Sequence, residues 1–466
     1  MIFRARRLFQ YNPRMSTGFS QLISLSLVGL MAASQMQGRV IPDANQHILP
    51  ERERPAVVNK ILRDRLDNLL PRLMRETGID LWLVINREYV EDPVYLTLVP
   101  EPVFHARRLS MLVFYDRGPG EGKGVERLTV SRYPMEGYYN AAWQGGTAES
   151  QWKRLAEIIA ERNPKKIGIN TSKQWPFGDG LSSGLRDSLM EALGPSLKDR
   201  VISADKLCVR WLETRTPLER DLYTHMTAIA RGVVSEAFSA RVITPGVTTT
   251  DDVAWYIRQR FTDLGLGTWF VPTVDLQRAG QTCTPDGPFC GGSGVIERGD
   301  VLHTDVGIKY LRLNTDTQEM GYVLRQGETE VPEGLKKALA AGNRWQDLLT
   351  DSFAVGRTGN DIFIRTDAGA KKEGLNHSTY SHAVGFHGHA AGPAIGMWDN
   401  QQGNVPVTGE WPMAAETAYA IEGNVKAAVP EWKGQLLQIK LEQTAYFDGT
   451  RVTYSAGRQT EWHVVR

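Results

Sequence analysis

The sequence predicts a two-domain protein of the α/β type, and three observations support this prediction. The chain has 466 residues, more than one hydrophobic core normally organises. Between about residues 52 and 205, segments with helical spacing of apolar residues alternate with short apolar strands. A second strong helix start then occurs at Thr216, and further helices and strands come after it.

The composition describes a folded chain without a strong charge preference. Hydrophobic residues make up 41% of the chain, and 54 basic residues nearly balance 53 acidic ones. The formal net charge of +1 gives no reason to expect a nucleic acid or an acidic surface as a partner.

Residues 1–34 have the pattern of a cleaved export signal. The first fifteen residues carry four arginines and no acid, and the apolar stretch LISLSLVGLMAAS follows. A membrane-spanning helix needs about 20 apolar residues, so this shorter stretch favours a signal peptide cleaved near Ser34. We therefore expect a linker over residues 35–51 and a periplasmic or secreted protein without stable membrane insertion.

The first domain is expected over residues 52–211. Its pattern predicts a helix in PAVVNKILRDRLDNLLPRLMRETG and strands in IDLWLVINREY and RRLSMLVFYDRG. A second helix, SQWKRLAEIIAERNP, leads into the strand KKIGIN. No motif of this domain carries obvious chemistry.

The second domain, over residues 212–466, begins with a helix-capping signal. Thr216 is a good N-cap, Pro217 suits the first helical position, and Glu219 completes a capping box. Further helices are predicted in TTTDDVAWYIRQRFTDLG and EGLKKALAAGNRWQDLLTDSF. Strands are predicted in DVLHTDVGIKY, EMGYVLRQG, AYAIEGNVKAA and LLQIKLEQTAYF.

Four acidic residues in or beside these strands are candidates for a metal site. His303 and Asp305 point away from the apolar face of their strand, and a hairpin after it would bring Asp316 close to Asp305. Glu422 and Glu442 also lie on the polar faces of their strands. Each can equally be an ordinary exposed strand residue. Together with histidines, four carboxylates would form an oxygen-rich site suited to Mn, Fe, Co or Zn.

Residues 380–393, YSHAVGFHGHAAGP, contain three of the nine histidines of the chain. The stretch HAVG that begins at His382, with His389 seven residues later, resembles a motif of the pita-bread metallopeptidases (family M24). That motif has the form His-x-Ile/Val-Gly followed by a second histidine, and the family includes methionine aminopeptidase, aminopeptidase P and prolidase. A zinc pair of His387 and His389 is the alternative, and nothing else in the chain supports it.

The order of the acidic residues resembles the same family. Two aspartates eleven residues apart precede the histidine motif, and two glutamates in strands near the C-terminus follow it. The resemblance implies two divalent metal ions per chain, with manganese preferred and cobalt, zinc or iron as alternatives. The implied metal ligands are Asp305, Asp316, His382, Glu422 and Glu442. Asp316 and Glu442 would bridge both ions, Glu422 would also shuttle a proton, and His389 would contact the substrate near the scissile bond.

The resemblance covers the C-terminal half of the chain. It implies an α+β pita-bread catalytic domain, preceded by an α/β N-terminal domain of the creatinase type. The stretch WLVINREY followed by EDPV is the part of the N-terminal domain that suggests this type. A homodimer is expected by the same analogy.

Three departures from the family pattern bear on substrate choice. Family peptidases usually place a histidine shortly before the first aspartate ligand, whereas this chain has DGPFCGG there; Arg278 is the nearest polar substitute. Ala390 stands where an acidic residue usually follows the second histidine. Lys440 stands where proline-directed members often have Arg, and it keeps the charge but lacks the planar fork. The inserted segment AIGMWDNQQGNVPVTGEW could form a rim over the pocket with Trp398 as an apolar wall, unless Trp398 simply packs.

The cysteines suggest a small closed loop. Export would place them in an oxidising compartment, and Cys283 and Cys290 lie seven residues apart in the Pro- and Gly-rich stretch QTCTPDGPFCGG. We expect a disulfide between them and a free, buried Cys208. Three unrelated buried thiols are the alternative.

The expected function is that of an exported dinuclear-metal aminopeptidase or dipeptidase. It would remove N-terminal residues, with an Xaa-Pro preference implied by the two-domain layout, through a metal-bridging hydroxide. Lys440, Arg278 and His389 are the expected substrate-binding residues. A metal-bound protein that holds peptides or a partner without turnover is one alternative, supported by the missing histidine. A hydrolase of non-peptide amides or esters is the other.

Overall fold

The computed structural model describes residues 43–44, 46–120, 123–281, 283 and 289–466. The predicted signal peptide therefore lies outside the described residues, as does part of the expected linker. Within the described ranges, none of the helices combines the length and apolar character that a membrane crossing needs.

The N-terminal domain is built on a six-stranded sheet. Its strands are Leu81–Arg87 (β1), Leu109–Asp116 (β2), Val125–Thr129 (β3), Asn140–Ala141 (β4), Ile167–Ile169 (β5) and Val201–Ser203 (β6). They lie in the order β4-β3-β2-β1-β5-β6. The central strand β1 is antiparallel to β2 and parallel to β5, so the sheet is mixed.

Helices cover both faces of this sheet, and alternate residues of β1 therefore enter different cores. Trp82 and Val84 belong to one core, and Leu81, Leu83 and Ile85 belong to the other. The helices are Arg54–Asp64 (α1), Leu70–Thr77 (α2), Tyr95–Leu98 (α3), Ala148–Arg162 (α4), Ser183–Ala192 (α5), Pro195–Lys198 (α6) and Asp205–Glu213 (α7).

The first long helix contains a π-helical turn that the sequence pattern did not predict. Residues Arg65–Leu69 form this turn between α1 and α2. Pro71 has no N–H to donate to the carbonyl of Asp67, four residues earlier. Just before it, the N–H of Leu70 bonds to the carbonyl of Arg65, five residues earlier. The wider turn carries the Arg65 side chain into the interior, where it is fully buried.

The C-terminal domain is built on a nine-stranded sheet with a separate three-stranded sheet. The large sheet follows the order β13-β15-β16-β12-β9-β8 with three strands attached beside it. The strands are Gly267–Thr268 (β7), Thr273–Gln277 (β8), Val301–Val306 (β9), Ile308–Tyr310 (β10), Leu313–Asn314 (β11), Thr317–Val323 (β12), Asn376–Thr379 (β13), His382–Ala383 (β14), Thr417–Val429 (β15), Gln435–Phe447 (β16), Val452–Tyr454 (β17) and His463–Val465 (β18).

Four helices accompany this sheet: Pro217–Ala237 (α8), Thr250–Asp263 (α9), Glu333–Asp351 (α10) and Gly359–Lys372 (α11). The predicted capping box at the start of α8 is confirmed, since Thr216 and Glu219 exchange both bonds. Helix α10 packs closely on β15 at Gly423, where an added Cβ would lie 2.4 Å from the Trp345 ring. Helix α11 was missed because its sequence contains Thr and two Gly residues that are poor helix formers.

A buried ion cluster joins the two domains. Arg65 donates to Glu219 of α8 at 2.9 Å, and Arg215 donates to the other oxygen of the same carboxylate at 3.2 Å. All three side chains are fully buried. The backbone N–H of Thr216 also donates to Glu219 at 2.7 Å, so one carboxylate both caps a helix and fixes the domain junction.

Candidate metal centre

The two candidate aspartates come from one folded hairpin. Asp305 lies in β9, and Asp316 immediately precedes β12, which returns antiparallel to β9. Leu311 and Arg312 both have positive φ values, 50° and 71°, and they turn the chain back between β10 and β11. Asp316 is held in place because Thr444 of β16 accepts from its backbone N–H at 3.0 Å and donates to its carbonyl at 2.9 Å.

The two glutamates come from the long strands β15 and β16. Glu422 and Glu442 lie directly opposite each other in the antiparallel register. His382 in β14 pairs with Ala420 of β15, two residues from Glu422 and therefore on the same face. Strand pairing alone thus brings the histidine and both glutamates together.

These five side chains, with His389, form overlapping groups able to hold a cation. Within each group, one ligand atom per residue lies within 4.8 Å of the others. The Nε2 atom of His382 lies 3.6 Å from Asp316, 3.5 Å from Glu422 and 3.8 Å from Glu442. The groups are Asp316–His382–His389, His382–Glu422–Glu442 and Asp305–Asp316–Glu442.

Several ligand atoms are buried without a hydrogen-bond partner among the described residues. They are Oδ1 of Asp305, Oδ1 of Asp316, Nε2 of His382 and Oε1 of Glu442. Burial and the neighbouring carboxylates raise the pKa of Asp305, Asp316 and Glu442 well above their ordinary values. Divalent cations would satisfy these atoms and remove the repulsion, so this donor set fits hard or borderline metal ions.

The orientation of His382 also suits a metal ligand. Its Nδ1 lies 3.0 Å from the backbone carbonyl of Ala383, and a carbonyl can only accept. Nδ1 is therefore the donor in this contact, and Nε2 is the atom that faces the carboxylates and is available to a metal ion. Such a backbone bond is the usual way in which the orientation of a ligand histidine is set.

Gln318 is a site residue that the sequence interpretation missed. It lies opposite Asp305 in the register of β9 and β12. Its amide donates to Oε1 of Glu422 and to Oε2 of Glu442, both at 2.9 Å. Its position two residues after Asp316 could have revealed it, because alternate strand residues share a face.

A chain of polar contacts supports Gln318 from behind. Its Oε1 lies 2.9 Å from Nε2 of His303, and Nδ1 of His303 lies 2.7 Å from Asp275. Burial lowers the pKa of His303, while the Asp275 carboxylate opposes that shift. Burial alone would raise the pKa of Asp275, but His303 and Lys440 outweigh it and lower that pKa to about 2. Asp275 is therefore an anion that anchors the whole chain of contacts.

The structure places the two expected substrate-binding cations in ion pairs. Lys440 lines the cavity, but its Nζ donates to both oxygens of Asp275 at 2.8 and 2.9 Å. Arg278 forms a bidentate pair with Asp300 at 2.7 and 2.6 Å. Both cations therefore have an internal partner, and their role in substrate binding stays a prediction.

The three clustered histidines have different surroundings. His389 lies near the metal-ligand cluster, with its ring 4.6 Å from that of His382 and 5.2 Å from that of Trp269. His387 packs instead against Phe177 of the N-terminal domain, with ring centroids 4.7 Å apart. Burial lowers the pKa of His387 to about 4. The structure therefore does not bring His387 and His389 together as a zinc pair.

A cavity of about 520 Å³ opens onto these ligands, within the usual range for small-molecule sites. Asp305, Glu422 and Gln318 lie in its wall, and Phe289 and Trp398 also line it. Cys283 and Cys290 are joined by a disulfide beside this wall, and Cys208 is free and buried.

A sheet that brings carboxylates and a histidine together beside a cavity is an arrangement typical of metal-dependent hydrolases. Residues 221–444 match the model of metallopeptidase family M24, and this match lies within the C-terminal domain. No curated protein matches the chain in sequence.

Solved structures share the fold at low sequence identity. The X-Pro aminopeptidase from Thermotoga maritima has a TM-score of 0.58 and 17% identity, covering 84% of this chain and 100% of that chain. The Xaa-Pro dipeptidase from Bacillus anthracis has a TM-score of 0.54 and 15% identity, covering 88% of this chain and 100% of that chain. The N-terminal domain of FACT complex subunit SPT16 from Cicer arietinum (chickpea) has a TM-score of 0.52 and 10% identity, covering 89% of this chain and 98% of that chain. The predicted fold class, a creatinase-type domain followed by a pita-bread domain, is confirmed.

Proposed function

We propose that the protein removes N-terminal residues from peptides as an aminopeptidase or dipeptidase that uses two divalent metal ions. The observation that carries this proposal is the clustering of Asp305, Asp316, His382, Glu422 and Glu442 beside one cavity, which Asp305 and Glu422 line, with a buried and unpartnered ligand atom on each of the other three and on Asp305. The family match of the same domain supports a peptide bond as the target.

The five converging side chains would hold the ions. Ions bound there would polarise a carbonyl oxygen and lower the pKa of water toward neutrality. Glu422 is the carboxylate suited to move protons, because it lines the cavity and its side chain is 18% exposed, against 1% for Glu442. Glu422 takes a proton from the attacking water and delivers it to the leaving nitrogen.

Acidic side chains outnumber basic ones in the wall of the cavity. Asp275, Asp305 and Glu422 all line it, whereas the ammonium group of Lys440 is paired with Asp275. Two divalent ions would offset the charge of the four ligand carboxylates, so the amino end of a peptide is assigned to this site from the family match and not from the charge of the wall. His389 lies beside the cluster, and its proposed role is to contact the bond that is cut.

The proposal includes export, an Xaa-Pro preference and a homodimer. The arginine-rich start and the apolar stretch after it support export. The Cys283–Cys290 disulfide is of a kind that persists in oxidising compartments. Cell fractionation and sedimentation of the purified protein test the location and the dimer.

The activity is tested with Xaa-Pro and Xaa-Ala peptides of two to four residues. Each is incubated with protein supplied with Mn²⁺, with chelator-treated protein, and with an Asp305→Ala variant. The matched control is Asp251→Ala, because Asp251 is an exposed aspartate in the first turn of α9. We expect chelator-sensitive release of the first residue, lost in Asp305→Ala and retained in Asp251→Ala.

Bound metal is measured on the same samples, so that lack of activity is interpretable. No release from any peptide by protein that carries two metal ions would contradict the proposal. In that outcome, binding of intact peptides would favour a peptide-binding protein, and hydrolysis of model amides or esters would favour a non-peptide hydrolase.

A further inference from the structure

Two large aromatic side chains stand exposed at the cavity that holds the candidate ligands. Phe289 is 63% exposed and Trp398 is 53% exposed. Their ring centroids lie 6.3 Å apart with planes inclined by 33°, a separation typical of interacting rings. Both rings line the same cavity as Asp305 and Glu422.

The loop that carries Phe289 is braced at the adjacent residue. Cys290 is linked by the disulfide to Cys283, and its backbone N–H donates to the side chain of Gln438 at 2.6 Å. The Gln438 backbone is in turn bonded to the side chain of Gln277, at 2.9 and 2.8 Å. Phe289 is therefore exposed next to a backbone that is fixed to two strands of the large sheet.

The segment that carries Trp398 is braced in a similar way. Met397 and Asn400 exchange backbone hydrogen bonds of 3.0 and 3.1 Å across Trp398. The side chain of Gln401 donates to the carbonyl of Thr379 at 2.8 Å. Trp398 thus stands on a braced turn of the inserted segment, with more than half of its side chain exposed.

The position of the two rings relative to the charges indicates what they bind. Carboxylates that would hold the metal ions line one end of the cavity, and the rings form an apolar edge of the same cavity. A peptide whose amino group and first bond lie at the carboxylates must pass its remaining residues outward along the wall. Exposed apolar groups joined to a polar site commonly mark a binding surface, and aromatic rings bind apolar side chains well.

We propose that Phe289 and Trp398 form an apolar lip that binds a bulky apolar or aromatic side chain in the leaving part of the peptide substrate. This inference rests on the proposed peptidase function and adds to it a substrate class. The lip selects peptides with such a side chain after the second residue, and the disulfide keeps Phe289 in place to do so.

The test uses two tetrapeptides that differ at one side chain, Ala-Pro-Phe-Ala and Ala-Pro-Gly-Ala. With wild-type protein loaded with Mn²⁺, we expect KM for the phenylalanine peptide to be lower by about fivefold to tenfold, because partial burial of an aromatic side chain favours binding by that order. In Phe289→Ala, Trp398→Ala and the double variant, the ratio of the two KM values should fall toward one.

The control variant is Trp255→Ala, because Trp255 is also an exposed tryptophan, 57% exposed, and lies on α9. It should keep the full KM ratio. A Cys283→Ser/Cys290→Ser variant should lower the ratio without removing either ring.

Equal KM values for the two peptides in wild-type protein would overturn the inference. Discrimination that persists in the double ring variant would also overturn it. If neither peptide is hydrolysed, the proposed function has failed. The dissociation constants of the same peptides, measured by calorimetry, then test whether the two rings bind the apolar side chain. A Kd ratio that depends on Phe289 and Trp398 would support the lip, and equal Kd values would refute it.

Discussion

Glu422 and Glu442 face each other directly across β15 and β16, and the amide of Gln318 donates to both carboxylates at 2.9 Å. Like charges directly opposite each other destabilise a sheet. Burial prevents water from screening this pair, since the Glu442 side chain is 1% exposed. The arrangement is therefore most stable when a cation lies among the carboxylates.

Replacing one of these glutamates should stabilise the metal-free protein. In Glu442→Gln, the new amide oxygen can still accept from Gln318, while the repulsion from Asp316, Glu422 and Asp305 is removed. We expect the Tm in chelator to rise by about 2–4 °C, which corresponds to about 1 kcal/mol for a domain of this size. Addition of Mn²⁺ should then raise the Tm less than in the wild type.

Thermal melts with chelator and with Mn²⁺ measure both effects. Glu410→Gln, at an exposed position, is the control and should change stability by less than about 0.5 kcal/mol. A lower metal-free Tm in Glu442→Gln would show that repulsion among the carboxylates is not what limits the stability of the site.

Loss of the Gln318 amide should weaken metal binding. Gln318→Leu leaves both glutamates without their shared donor, so their carboxylates can rotate away from the ligand geometry. Residues that orient metal ligands typically contribute about 10–100-fold in metal affinity. We expect a loss of that order in Mn²⁺ affinity, measured by calorimetry.

The control for this loss is Gln459→Leu. Gln459 is also buried and also bonds β12, exchanging bonds with the backbone of Met320 at 2.8 and 2.7 Å. It should lower the stability of the sheet while leaving Mn²⁺ affinity within about twofold of the wild type. Equal losses of affinity in the two variants would mean that Gln318 acts only through general stability.

Glu213 should make the stability of the protein fall as pH rises toward neutrality. Burial raises its pKa to about 7 from an ordinary value of 4.5, although Arg210 and Trp411 both bond to it. Between these two values the native protein holds more protons than the unfolded chain, so stability decreases with rising pH. Between pH 4.5 and pH 7, we expect the free energy of unfolding of Glu213→Gln to rise by about 3 kcal/mol relative to that of the wild type.

Urea denaturation at a series of pH values measures this difference. The comparison variant is Asp92→Asn, because burial raises the pKa of Asp92 only to about 6. The difference in free energy of unfolding between Asp92→Asn and the wild type should change between about pH 4 and pH 6 and stay level above that range. If the free energies of unfolding of Glu213→Gln and the wild type differ by a constant amount from pH 5 to pH 8, the prediction is refuted.

The buried cluster at the domain junction should be essential for stability. Arg65→Met removes one partner of Glu219 and leaves that carboxylate buried with Arg215 alone. Breaking a buried ion pair in this way typically costs about 3–5 kcal/mol. Denaturant unfolding of the metal-loaded protein measures the loss.

An exposed pair provides the matched comparison. Arg154 on α4 pairs with Glu157 and Glu161, whose side chains are about half exposed, so Arg154→Met should cost less than about 1 kcal/mol. Similar costs in Arg65→Met and Arg154→Met would show that the junction does not depend on the buried charges.

Local patterns predicted much of this molecule because they depend on residues close together in the chain. The alternation around Asp305 indicated which side chains leave the apolar face, and the capping box at Thr216 marked the start of α8. The order of the ligands, with the spacing of His382 and His389, was sufficient to predict the family and the fold. These features need no knowledge of which strands pair.

Tertiary structure decided the contacts between distant strands. Nothing local shows that Asp275 neutralises Lys440, that Gln318 bridges Glu422 and Glu442, or that Phe289 meets Trp398. Each contact depends on strand register or on loops joined far apart in sequence, and a shift of one residue in register would turn the side chains to the other face. The sequence therefore determined which groups the site contains, and the folded sheet determined which of them are neutralised, bridged or left open to a substrate.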